Sequence, residues 1–243
     1  MVNYDQACQA VLPERYPADE QGLRLDLADN EVSELDPEFW DQTAQYVERR
    51  LLRLLRTAGQ GEAPLNHLSI FALAPIPALI DFGKRVGDII SADVYQRQRR
   101  TGDWRWQDLD DVGFDFQIDR PAPDRRSGSR VALNLSLSDV IHSAAIERAM
   151  GGPCPTYKLT IGRPRRDFLR AKEQLELFRN EWYALLSEIR EAHREDCEIH
   201  VFPAVPSSVA VEIGRSLLPK SDPQLVVYDF NKGCGGFQRA IAV

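Results

Sequence analysis

His67-Leu-Ser-Ile-Phe-Ala-Leu-Ala-Pro-Ile-Pro-Ala-Leu-Ile-Asp-Phe-Gly-Lys84 is the stretch on which the fold turns. The run to Ala74 is almost continuously apolar, the mark of a strand covered on both faces, as in a parallel sheet. Pro75-Ile-Pro77 then turns the chain, and Ala78 to Val86 reads as a helix, since proline suits a helix's first turn. Ile89 to Tyr95 returns to strand character. Strand, helix and strand of these lengths predict a βαβ unit.

The same pattern recurs far along the chain, in Glu198-Ile-His-Val-Phe-Pro-Ala-Val-Pro-Ser-Ser-Val-Ala-Val-Glu-Ile-Gly-Arg215. Laid over the first stretch, it puts Phe202 on Phe71, Pro206 on Pro75, Val211 on Ile80, Gly214 on Gly83 and Arg215 on Lys84. With a two-residue gap, Val227-Tyr228 falls on Val94-Tyr95. Upstream, Leu25-Asp-Leu27 resembles Leu159-Thr-Ile161, and Phe39 precedes Phe71 by nearly the interval that separates Phe168 from Phe202. Any strand–turn–helix imposes similar chemistry, so convergence is the competing reading. Order and spacing across two helices and three strands favour an internal duplication. Two α/β lobes related by a pseudo-two-fold are then expected, with a cleft where strand ends face each other. Open α/β sheets bind ligands outside the carboxyl ends of their strands.

Outward from these units, residues 1–20 read as a polar arm or linker. Leu23 to Leu27 alternates and predicts a strand. Asp36 before Pro37 suits an N-cap, and the helix that follows to Thr57 repeats Trp40, Ala44, Val47, Leu51, Leu54 and Leu55 at helical spacing. Residues 97–130 read as an irregular excursion. Beyond it the spacing predicts strands at Val131–Ser138, Tyr157–Ile161, Glu198–Phe202, Leu225–Tyr228 and Phe237–Val243. Helices are expected at Asp139–Met150, Asp167–His193 and Ser208–Leu218. Strands alternating with helices make this an α/β protein with a mostly parallel sheet. The division expected is 1–20 arm, 21–125 first lobe and 126–243 second lobe.

Composition narrows the function. The chain has 243 residues, 37 acidic against 30 basic, and a net charge of −7. That balance argues against a duplex-DNA binder, which needs a broad basic face, but leaves room for a small anion in one cationic pocket. No apolar run approaches a membrane span of about 20 residues. The start lacks a signal sequence, so a cytoplasmic protein is expected. Cys8, Cys154, Cys197 and Cys234 form no C-x-x-C pair, and His67, His142, His193 and His200 have no metal-ligand spacing. Asp108, Asp110 and Asp111 read more simply as a solvated acidic loop than as a cation site. No phosphate-binding P-loop, nucleophile elbow or zinc-protease motif occurs. No catalytic residue, metal or cofactor is expected. Gly233-Cys-Gly-Gly236 reads as a hairpin connection.

Several loop residues fit a nucleotide. Ser136, Ser138 and His142 stand at one strand–helix junction, with Asp139 at the expected cap opposing an anion. Pro206, Ser207 and Ser208 stand at another, where the hydroxyls either meet a ligand or cap the helix. Tyr95 is followed by Arg97, Arg99 and Arg100, then by Trp104-Arg-Trp106, and cations interleaved with aromatics suit phosphate pairing and base stacking. A surface loop with buried tryptophans is the competing reading.

At these residues the chain resembles the SAVED family. His67 to Lys84, continued through Asp93-Val-Tyr-Gln-Arg97 and Asp103-Trp-Arg-Trp106, is similar to one half of that domain. Glu198 to Arg215 with Leu225-Val-Val-Tyr-Asp229 is similar to the other, and the likeness spans roughly residues 20–243. The resemblance implies two fused CARF-like, Rossmann-type lobes. It implies a sensor of bacterial antiphage defence, of the CBASS or type III CRISPR kind, with a cyclic oligoadenylate or a related cyclic di-, tri- or tetranucleotide as ligand. Binding would drive self-association of SAVED units and activate a fused or separate effector. The arm before the first lobe is too short for an effector, so an excised sensor or a standalone subunit is expected. With this ligand between the lobes, Lys84 and Arg97 would offer charge, Tyr95 and Trp106 stacking, and Ser136, Ser138, Ser207 and Ser208, beside Pro206, hydrogen bonds. Slow cleavage of the bound ring, with His142 or His200 moving a proton, is the enzymatic alternative. A module that assembles with protein partners independently of nucleotide is the third.

Overall fold

The computed structural model describes residues 2–18, 20–29, 32, 36, 38–59, 65–88, 90–109, 114–122, 129–193, 197–218 and 222–243, without the side chains of 57–59. Helix α1 (Tyr4–Val11) opens the chain and α2 (Phe39–Gly59) follows. Strand β1 (His67–Phe71), helix α3 (Ile76–Val86) and strand β2 (Ser91–Tyr95) form the first unit, with β1 and β2 paired in parallel. Then come β3 (Phe116–Asp119), β4 (Arg130–Ser136), α4 (Ser143–Met150), β5 (Thr156–Ile161), α5 (Lys172–Ala192), β6 (Glu198–Ala204), α6 (Ser207–Arg215), β7 (Leu225–Asn231) and β8 (Gly236–Ala242).

Six of these strands make the second sheet, in the order β3-β5-β4-β6-β7-β8. The four inner strands are parallel and the two edges antiparallel. After β4 the chain steps to one side for β5, then returns past β4 for β6. This reversal is a topological switch point, and the crevice beyond the ends of β4 and β6 is where such sheets take ligands.

The alternation of each strand sorts its side chains. Val131, Leu133 and Leu135 of β4 join Tyr157 and Leu159 of β5, Ile199 and Val201 of β6, and Val227 of β7 in one core with α3, α5 and α6. In α5 the buried positions Leu175, Phe178, Trp182, Leu185 and Ile189 recur at three and four residues, one helix face against that sheet. The opposite face carries Ala132, Phe202, Val226 and Tyr228, covered by Ile146 and Met150 of α4. Buried Asn134, Ser136 and His200 stand among them.

The two units meet through α3 and α6. A β-carbon on Gly83 would overlap the Val211 carbonyl and crowd the Arg215 amide; one on Gly214 would overlap the Ile80 carbonyl and crowd the Lys84 amide. Only glycine allows backbones so close. The contacts are reciprocal, because Ile80 and Lys84 hold in the first unit the places that Val211 and Arg215 hold in the second. Two-fold related surfaces meet in this manner. Arg215 also crosses over: its guanidinium donates to the carbonyls of Gly87, Ile90 and Ala92 at 3.2–3.4 Å. It faces Glu212 at 3.3 Å. Burial pushes the Glu212 carboxyl above its ordinary range, with Arg215 and Arg179 opposing part of that shift.

Several expectations change. Leu23–Leu27 is no strand; it ends in a 3-10 turn at Leu27–Asp29, held where the Tyr46 hydroxyl donates to the Asp26 carbonyl at 2.9 Å. The supposed arm contains α1, whose Val11 packs with Tyr95 and Trp104. The excursion contains β3, which pairs with β5, so these residues join the second sheet although they precede the expected division at 125/126. Helix α4 starts at Ser143 with His142 at the cap, and Asp139 accepts from the Val140 amide instead of capping the helix. Helix α5 starts at Lys172, five residues later than Asp167. Asp36 does receive the Glu38 amide at 2.9 Å, as a cap should, while Pro37 lies outside the described residues. The Gly233–Gly236 stretch turns the β7–β8 hairpin, as expected.

Candidate functional site

The carboxyl ends of β2, β4, β5 and β6 open into four loops, and each loop is bonded to the next. Gln96, just after β2, accepts at Oε1 from the backbone amide and hydroxyl of Ser208 at 3.2 and 2.9 Å. The Ala204 carbonyl at the end of β6 accepts from the amides of Leu137 and Ser138 at 3.1 and 2.7 Å. The Leu137 carbonyl accepts from the Arg165 amide at 3.0 Å. Asp167 faces Arg100 at 3.3 Å, back on the loop after β2. The contacts thus close a circuit of loops around the switch point.

The circuit is cationic in an acidic chain. Arg97, Arg99, Arg100 and Arg105 are exposed on the first loop, and Arg163, Arg165 and Arg166 on the loop after β5. Among the described residues their carboxylate partners are two: Asp167, 3.3 Å from Arg100 and 3.7 Å from Arg165, and Asp139, 3.9 Å from Arg166. Such exposed pairs contribute about 1 kcal/mol at most, so they release readily to a stronger anion.

The predicted residues divide among several roles. Arg97 is exposed on the circuit, its Nε 3.4 Å from the Gly102 carbonyl. Ser138 and Ser207 are half-buried there. Pro206 is buried, caps α6 and takes the Ala210 amide on its carbonyl at 3.0 Å. Ser136 has no exposed surface; its hydroxyl donates to Asn134 at 2.7 Å and accepts from the Ile141 amide at 3.0 Å. Asn134 donates in turn to the Ile141 carbonyl at 3.1 Å, so this pair folds the loop before α4. Ser208 is equally buried, with both donors on Gln96. Ser136 and Ser208 are committed within the fold and shape the loops.

Tyr95 is 5% exposed and stacks on Phe71 with ring centroids 4.5 Å apart. Burial, then the Asp93 charge, pushes its hydroxyl up to about 12. It shares with Trp106 a cavity of 210 Å³, beside Arg105, Asp93 and Lys172. Asp93 gathers Arg15 at 3.0 Å, His67 at 3.2 Å and Lys172 at 3.3 Å. Burial works to raise its carboxyl, but Arg15 and Lys172 hold it below the ordinary range. Lys84 stands apart. It lies eight residues into α3, about 12 Å along the axis from the helix start.

The two candidate histidines stand at different depths. His142, at the end of the loop after β4, lines a 690 Å³ cavity between α4 and the β7–β8 hairpin, with Asp139 and Ala204 of the circuit and with Phe230 and Phe237. His200 is the third residue of β6, roughly 13 Å below that strand's end. Its Nδ1 pairs with the Tyr228 hydroxyl at 3.1 Å, and burial lowers its pKa despite Glu198. Asp108 is exposed, and Asp110 and Asp111 lie outside the described residues. Among the described residues no cluster of His, Cys, Asp and Glu converges as metal ligands would. Nor is any helix there long and apolar enough to cross a membrane.

Two features of the circuit escaped the sequence reading. One is Gln96, whose partner is 112 residues away. The other is the run Gly162-Arg-Pro-Arg-Arg166, where three arginines in four positions after a strand were a visible signal in an acidic chain.

No curated protein matches the chain in sequence. Solved structures do match in fold. The Acinetobacter baumannii Cap4 SAVED/CARF-domain containing receptor, with the cyclic trinucleotide 3'3'3'-cAAA, aligns at a TM-score of 0.63 and 15% identity over 91% of this chain and 48% of that one. The same receptor with 2'3'3'-cAAA aligns equally. The Moraxella osloensis Cap4 SAVED/CARF-domain containing receptor aligns at 0.55 and 12% identity, over 93% and 48%. The chain therefore spans about half the length of these neighbours. Residues 47–243 match the family model of the SMODS-associated and fused to various effectors sensor domain, and the chain belongs to this SAVED family.

Proposed function

We propose that this chain is a receptor for a small cyclic oligonucleotide of antiphage defence, working in the cytoplasm, with the ring held over the circuit of carboxyl-end loops. The observation that carries the reading is the concentration of exposed arginines, from two loops of distant sequence, around the switch point of a chain with a net charge of −7. Arginine binds phosphate oxygens in bidentate fashion, so Arg97, Arg99, Arg100, Arg163, Arg165 and Arg166 would meet the phosphates. Ser138 and Ser207 would offer hydroxyls, and Trp106 a face for a base. The Cap4 receptors solved with cyclic trinucleotides support this ligand class.

In this reading the two lobes descend from a duplication, supported by the reciprocal packing of Gly83 and Gly214. The lobe division then falls before Phe116, because β3 pairs within the second sheet. Ligand binding would bring SAVED units together and switch on an effector, fused or separate. For the alternative of ring cleavage, His200 lies well below the circuit within β6, while His142 stands at the α4 end of the loop after β4.

Calorimetry with cyclic di-, tri- and tetranucleotides tests the reading. At least one ring is expected to bind in the micromolar range or tighter, more weakly as salt rises. Replacing Arg163, Arg165 and Arg166 together by alanine is expected to weaken it about tenfold or more. No binding by any ring would overturn the proposal. Sizing with and without the bound ring tests assembly.

A further inference from the structure

The N-terminus of α6 is capped from the other half of the molecule. Pro206 precedes this helix and brings no side-chain cap, so its first amides need a partner from elsewhere. The Gln96 carboxamide oxygen supplies it, accepting from both the amide and the hydroxyl of the fully buried Ser208. The rest of Gln96 is tied to its own loop. Its Nε2 donates to the Arg97 carbonyl at 3.0 Å, and its carbonyl accepts from the Gln98 side chain at 3.3 Å. Gln98 is itself buried and exchanges 2.8 Å backbone bonds with Asp103 and Gly102. One chain of bonds therefore runs from the start of α6 through Gln96 into the turn that presents Arg97, Arg99 and Arg100.

We propose that Gln96 is a positioning residue, capping α6 of the second half from the first and thereby setting the arginine-bearing turn for the ligand. This rests on the receptor reading above and adds to it the coupling between the halves. Neither Gln96 nor Ser208 need touch the ring. Losing the cap frees the turn to move, so the arginines must be ordered at the moment of binding, which weakens affinity.

The test has two arms. In the first, hydrogen exchange is followed on the full chain without ligand. Gln96→Ala is expected to speed exchange of the Ser208, Gln98 and Gly102 amides about tenfold. Gln96→Glu, whose carboxylate accepts the same two donors but cannot donate to the Arg97 carbonyl, is expected to restore protection at Ser208 alone. Unchanged exchange at Gln98 and Gly102 in Gln96→Ala would overturn the coupling.

In the second arm, calorimetry uses the ring that wild type binds best. Gln96→Ala is expected to weaken it about tenfold, Ser208→Ala less, and the double variant no more than Gln96→Ala alone, since both act through one contact. Affinity equal to wild type in Gln96→Ala, or full additivity in the double variant, would overturn the proposal. If wild type binds no ring, the receptor reading falls, and the exchange arm still decides whether Gln96 couples the halves.

Discussion

Among the described residues two parallel strands make the first sheet and six strands the second, though both halves use the same strand–turn–helix order. In the second half β4, β6 and β7 are covered on both faces, and their side chains fill two cores. In the first half the inner face, Leu68, Ile70 and Val94, packs into the second half's main core. The outer face holds polar His67, Ser91 and Asp93 beneath Tyr95 and Phe71, with α1 and the 96–107 loop laid over it. The first half thus borrows its core from its neighbour and completes its other side with aromatic stacking and ion pairs. It follows that β1–β2 should be the softer sheet.

The sharpest way to break this picture is the contrast between cores. Phe178 is fully buried in the second half, and Phe178→Ala should cost about 4 kcal/mol in urea unfolding. Phe71, half-buried on the outer face of the first sheet, should cost about 2 kcal/mol when cut to alanine. Equal losses would contradict the unequal division of the core.

Next in size is the contact the halves share. Gly214→Ala drives a methyl into the Ile80 carbonyl and should cost about 3 kcal/mol, at the upper end of overpacking. Gly83→Ala should behave alike. Because one separation of α3 from α6 relieves both clashes, the double variant should lose less than the sum in the same assay. A full sum would mean the two contacts are independent.

The smallest effect is titration. His67 in the first half and His200 in the second both have pKa values lowered from 6.5, chiefly by burial. For His67 the Arg15 charge adds to burial, and together they outweigh Asp93. A lowered histidine contributes stability above its unfolded pKa and loses it as pH falls through that value to the folded one. Unfolding free energy should therefore drop on acidification below about pH 6.5. His200→Gln should flatten this slope more than His67→Gln, since the His200 side chain is 6% exposed against 17% for His67. Asp93 has a pKa lowered from 3.8, so its contribution goes only at lower pH, as pH falls through its folded value.

Much of this architecture was legible in the residues. Apolar runs such as Val131–Ser138 and Ile199–Phe202 declare buried parallel strands, and the spacing in α2 and α5 declares amphipathic helices. The pattern of Phe116-Gln-Ile-Asp119 is as regular, but the strand is short and its partner β5 lies beyond β4 and α4 in the chain. Leu23–Leu27 has the same alternation, but no strand among the described residues pairs with it, and it runs into the turn at Leu27–Asp29. On the circuit of loops, Arg97 and Ser207 could be placed because the residues that follow a strand's carboxyl end lie there. Ser136 and Ser208 were visible as hydroxyls, but not the Asn134 and Gln96 that occupy them.

Local physics explains that division. Burial pattern, proline turns and cap residues act over a few neighbours, so the amino-acid sequence alone determined the α/β class, the paired units and the loops that carry charge. Which loops adjoin depends on strand order. Strand order set Arg165 beside Leu137, Asp167 beside Arg100 and Gln96 on the start of α6. Only the tertiary structure decided that four loops would close on one another, because each contact joins residues that no local interaction brings together.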